Sequence, residues 1–144
     1  MRQYRYLPHT ADMRFRAYGD GFGEALENAA LALLNAMLDL DRVAKSRGRL
    51  VKVPIRETAY TQQELVWFTL QDILSRIDAR KLNAYEFRIS GIQMKGKKLH
   101  LAGTLMCKRS GEDNALLSVK AVTPNDLFVR NHGGRCTIQV VVDV

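Results

Sequence analysis

GFGEALENAALALLNAM, residues 21–37, repeats its apolar side chains with the period of an α-helix. Phe22, Ala25, Leu26, Ala29, Ala30, Leu33, Leu34 and Met37 follow the i, i+3, i+4, i+7 rule and fall on one stripe. A stripe of that breadth has to be covered, and the residues on either side point to a sheet as the cover. Immediately before it, Met13, Phe15 and Ala17 alternate with Arg14, Arg16 and Tyr18, a strand with one apolar and one basic face. Gly19, Gly21 and Gly23 around Asp20 break the alternation and let the helix start.

Downstream, "DLDRVAKSRGR" at 39–49 loses all period and reads as a connection. Leu50, Val51, Val53 and Ile55 then form a short strand, which Pro54 assigns to a sheet edge because proline cannot donate to a ladder. Thr61-Gln62-Gln63-Glu64 is a capping box, and Leu65, Val66, Phe68, Leu70, Ile73, Leu74 and Ile77 continue it as a second helix ending near Asp78 or Ala79. Beyond that point the period changes to two. Tyr85, Phe87 and Ile89 alternate inward, as do Leu99, Leu101, Gly103, Leu105 and Cys107 after the turn "KGKK". "ALLSVKAV", "DLFVR" and "CTIQVVVDV" supply three further strands, the last two joined through "NHGG". The expected fold is α+β: one domain over residues 1–144, with two main helices packed on a largely antiparallel or mixed sheet.

The chain has 144 residues, 47% hydrophobic and 26% charged, the balance of an ordinary globular domain. It holds no apolar run long enough to span a bilayer, and "MRQYRYLPHTAD" carries no secretion signal, so a cytoplasmic location without membrane association is expected. Cys107 and Cys136 stand far apart, outside any metal or redox spacing, and read as two buried thiols. Twenty-two Lys and Arg against fifteen Asp and Glu leave a charge of +7, which favours anionic partners such as RNA.

Familiar catalytic patterns are absent. There is no Gly-x-Ser-x-Gly elbow, and "GDGFG" lacks both the lysine of a phosphate-binding loop and the spacing of a dinucleotide fingerprint. His100 is out of phase with Leu99 and Leu101 and belongs to the less apolar side of its strand, while His132 sits in a glycine turn. "PHTAD" is more compact. Read alone, Thr10 and Asp12 would close a side-chain-to-backbone turn beside His9. Asp143 changes the weighting, because a carboxylate ending a valine strand is costly to desolvate unless exposed or paired. If the last strand lies beside the one that starts at Asp12, then Asp12, Asp143 and the carboxylate or carbonyl of Val144 converge as hard oxygen ligands of the kind Ca²⁺ or Mg²⁺ prefers. The other outcome is a solvated chain end.

Taken together, "HTADMRFRAYG" (9–19), "EALENAALALLNAM" (24–37), "LQDIL" (70–74), "KAVT" (120–123) and the final "VVVDV" resemble, in order and over essentially the whole chain, the archease family. The resemblance implies a protein that is not itself an enzyme. It would activate the GTP-dependent RtcB-type RNA ligase of tRNA splicing and RNA repair by promoting its guanylylation; the alternative is a basic tRNA-binding or chaperone module that modulates a tRNA-modifying enzyme such as a tRNA methyltransferase. It also implies a divalent metal, Ca²⁺ foremost with Mg²⁺ or Mn²⁺ as alternatives, on Asp12, Asp143 and Val144, and partner-facing or site-shaping roles for His9, Thr10, Lys120 and Thr123. One departure stands out: where the family continues "KAVT" with an aromatic residue and histidine, this chain has Pro124-Asn125.

Overall fold

The computed structural model describes residues 3–7, 12–109 and 113–144. Its elements run β1 (Tyr4–Leu7), β2 (Met13–Gly19), α1 (Phe22–Met37), α2 (Leu40–Lys45), β3 (Arg49–Ala59), α3 (Gln62–Arg80), β4 (Asn83–Lys95), β5 (Lys98–Arg109), β6 (Ala121–His132) and β7 (Arg135–Asp143). The α+β class is as the sequence indicates, but the strands divide into two sheets. One has the order β1-β2-β7-β6 and the other β3-β5-β4, and every pairing is antiparallel.

The two long helices lie between these sheets. α1 packs on β2 and β7 of the first and β4 of the second; α3 packs on β3 and β5 of the second and β6 of the first. This double contact explains the breadth of the buried surface of α1, where Ala32 is fully buried along with Ala25, Leu26, Ala29, Ala30, Leu33 and Leu34. A helix against a single sheet buries one stripe, whereas a helix between two sheets buries most of its circumference. One hydrophobic cluster joins Phe15, Ala17, Ile138, Val140 and Val142 of the first sheet to Val53, Ile55, Leu101 and Leu105 of the second through the helices.

Local signals act as their chemistry requires. Thr61 Oγ1 accepts from the Glu64 N–H at 3.1 Å while Glu64 Oε1 accepts from the Thr61 N–H at 3.2 Å, closing the capping box of α3. Pro54 sits on β3, an edge strand. Gly133 and Gly134, with φ of 58° and 79°, form the two-residue turn between His132 and Arg135, the double left-handed geometry that suits the twist of a hairpin. Both cysteines are free and buried. Among the described residues no helix is long and apolar enough to cross a membrane.

Three readings need correction. The stretch 39–49 is not wholly connection: Asp39 caps the short helix α2 by accepting from the Arg42 N–H at 3.2 Å. Tyr4–Leu7 is a strand that sequence alone did not mark, because its inward side chains are tyrosines; Tyr6 donates its hydroxyl to Ala32 O of α1 at 3.0 Å. Finally, "ALLSVKAV" and "DLFVR" are not two strands. Residues 116–120 are irregular, and β6 runs from Ala121 straight through "DLFVR".

Candidate functional site

β2 and β7 lie side by side, pairing Phe15 with Val140, Arg14 with Val141 and Met13 with Val142. One step further out on the two chains are Asp12 and Asp143. Residues near the two ends of the chain therefore meet at one edge of the first sheet, the condition on which an acidic pocket depends. Asp12 is half-buried and Asp143 exposed. Val142 is fully buried and Val144 packs on the core, so the last residue is held in place rather than frayed.

The far side of β7 is closed by β6, with Ala121 opposite Asp143 and Val122 opposite Val142. Lys120, whose side chain is exposed, donates its backbone N–H to Asp143 O at 2.7 Å, extending the ladder up to the acid. Helix α3 secures the same place from the other side. Trp67 Nε1 donates to Val122 O at 2.9 Å, and Gln71 Oε1 accepts from the Val122 N–H at 2.9 Å. The start of β6 is thus tied on both flanks. Neither Trp67 nor Gln71 was marked as site-shaping by sequence; their role depends on which strand lies above the helix, and periodicity carries no such information.

Thr123, opposite Val141, accepts the Asn125 N–H on its hydroxyl at 3.0 Å and opens a bulge. Pro124 to Leu127 loop out opposite the single residue Val140, and pairing resumes at Phe128 with Gln139. Asp126 has a φ of 58°, and its carbonyl accepts from Gln139 Nε2 at 2.8 Å. Pro124-Asn125 falls inside this bulge, where a missing proline N–H interrupts no ladder. Gln139 in turn accepts from Arg16 Nε at 2.9 Å. His9 and Thr10 lie outside the described residues.

The donor set suits a hard cation. Asp12, Asp143 and the main-chain oxygens of Val144 would all offer oxygen donors, and among the described residues neither aspartate is ion-paired with a lysine or arginine. Among the described residues no three His, Cys, Asp or Glu side chains cluster anywhere, so any cation here would draw on main-chain oxygen or water to complete its shell. The two thiols are not activated. Burial pushes the Cys107 thiol up to about 11 and raises Cys136 as well, leaving both protonated and poorly nucleophilic. His100 shares a hydrogen bond of 3.3 Å with Thr58 on the other sheet, remote in register from Asp12 and Asp143.

Comparison with known proteins gives a consistent result. A model of the Archease protein family (MTH1598/TM1083) matches residues 4–144. The archease of Methanosarcina barkeri is 31% identical over 151 residues, covering 99% of this chain and 97% of that one. That of Methanothermobacter thermautotrophicus is 30% identical, with 100% of each chain covered. The solution structure of Methanobacterium thermoautotrophicum protein 1598 superposes over 100% of both chains with a TM-score of 0.85 at 26% identity. A crystal structure of an archease described as a possible chaperone, from Thermotoga maritima, shares the fold, with a TM-score of 0.57 at 20% identity over 96% of this chain and 94% of that one.

Proposed function

Because this chain belongs to the archease family, we propose that it is a noncatalytic accessory protein that promotes guanylylation of an RtcB-type RNA ligase through a divalent cation held at its acidic edge. The observation that carries this reading is the β2–β7 register, which runs outward from Met13 and Val142 to Asp12 and Asp143. Two carboxylates on adjacent chains repel each other, and a shared cation relieves that repulsion. Asp12, Asp143 and a main-chain oxygen of Val144 would hold it. When bound, the cation supplies positive charge beside the phosphates of the partner's nucleotide.

The chain's own residues supply position. β7 is buried on both faces at Val140, Val141 and Val142, so Asp143 projects from a rigid rod. Trp67 and Gln71 fix the neighbouring strand against α3, and the Lys120 N–H holds the Asp143 carbonyl. An accessory protein that presents a cation to another protein's site needs this rigidity, because geometry lost at the edge is lost at the partner's reacting atoms.

The test is a guanylylation assay with a purified RtcB-type ligase, GTP and Mn²⁺ or Mg²⁺. Asp143→Ala is expected to keep its circular dichroism spectrum and lose stimulation; full stimulation by that variant would refute the proposal.

A further inference from the structure

The outer face of the four-stranded sheet, turned away from the helices, is ordered in rows by the strand register. Arg5 of β1 stands opposite Arg16 of β2, Arg16 opposite Gln139 of β7, and Gln139 opposite Phe128 of β6. In the next row, Tyr18 faces Thr137 and Thr137 faces Arg130. The Arg130 guanidinium lies 4.4 Å from the centre of the Phe128 ring, and that of Arg16 lies 5.5 Å from the same centre. Two guanidinium groups thus lie near one aromatic ring, with a third arginine across the strand.

This arrangement is costly for the protein alone. Like charges directly opposite each other destabilise a sheet, and Arg5 and Arg16 are such a pair. Among the described residues, ion pairs join only Arg76 to Asp72 and Arg88 to Glu86, so Arg5, Arg16 and Arg130 have no carboxylate to offset their repulsion. Arg16 is nonetheless held in one orientation by Gln139, which is itself 4% exposed and anchored on Asp126 O. Unneutralised guanidinium groups beside a partly exposed ring, one of them held by Gln139, match a ligand that carries both anionic groups and flat π-faces. An acidic peptide would use the arginines and gain nothing from the ring.

We propose that this face binds single-stranded nucleic acid, with a base stacked at Phe128 and the flanking phosphates on Arg5, Arg16 and Arg130. Stacking of a base on an aromatic side chain tolerates any sequence, and arginine adds to it by cation–π contact. A duplex hides its base faces, so unpaired strands are the fitting form. The assignment stands independently of the cation and of the ligase.

The experiment is fluorescence anisotropy of the intact protein with a labelled oligouridylate of about 12 nucleotides, within the range of single-strand binding sites. A deoxythymidylate of the same length distinguishes RNA from DNA, with saturable binding of either supporting the proposal. Three phosphate contacts predict that log K falls with log salt at a slope of about −2. Arg5→Gln and Arg130→Gln should each reduce that slope by about 0.7. Phe128→Ala should weaken binding about fivefold or more, while Phe128→Trp keeps it. Lys97→Gln, in the hairpin of the other sheet, is the control for diffuse attraction. No saturable binding to either strand, an equal loss in Lys97→Gln, or displacement by polyglutamate as effective as by unlabelled oligonucleotide would each overturn the assignment.

Discussion

Gly19 lies where β2 gives way to α1, and a Cβ built on it would stand 2.4 Å from the backbone nitrogen of Ala25. Its presence in a glycine-rich turn is legible in the sequence; the reason for it, a strand end pressed against a helix backbone, is not. Gly19→Ala must push the helix away, and the expected loss is about 1–3 kcal/mol, read from the urea midpoint. Glu57 carries a different constraint. Burial, with the Asp72 carboxyl as hydrogen-bond partner and neighbouring charge, pushes its carboxyl up to about 8. The folded state therefore binds a proton that the unfolded chain has already released, and the stabilisation present at low pH is lost as pH rises towards 8. Urea unfolding between pH 5 and 9 should show stability declining up to about pH 8 and levelling above it, and Glu57→Gln should flatten the decline. No motif announces Glu57, since it becomes a neighbour of Asp72 only when β3 packs on α3.

The capping box of α3 is local chemistry, and both of its hydrogen bonds form where four consecutive residues indicated. Thr61→Ala should cost about 1 kcal/mol in the same unfolding measurement. β6 behaves otherwise. Its period is broken at Pro124, so a linear reading cuts it in two, yet Gln139 and Thr123 bridge the interruption by satisfying the bulge's backbone groups. The strand survives because its partner β7 is continuous. Trp67 and Gln71 hold its first residues, and Trp67→Phe removes the donor to Val122 O while keeping the ring. That carbonyl is left unpaired at a helix–sheet contact, at a cost of about 1–3 kcal/mol. Amide hydrogen exchange should then speed up at Val122 while β7 stays protected.

Across the molecule, the sheet order β1-β2-β7-β6 brings an early strand next to the last one, and the acidic edge is a product of that closure. Calcium at a hundredfold excess over its dissociation constant should raise the unfolding free energy by about 2.7 kcal/mol. Asp12→Asn and Asp143→Asn should each abolish the rise without unfolding the protein, as thermal denaturation with and without Ca²⁺ will report. By itself the sequence determined the two long helices, most strands, the turns and the α+β class, because periodicity, caps and left-handed glycines act over a few neighbouring residues. It also marked Asp143 as an acid out of place. Only the tertiary structure decided that the strands part into two sheets around the helices and that Trp67, Gln71 and Gln139 brace β6 and its bulge. It alone brought Arg5, Arg16, Phe128 and Arg130 together on one face. Those relations depend on register between segments far apart in the chain, which is set by the packing of the common core rather than by any local pattern.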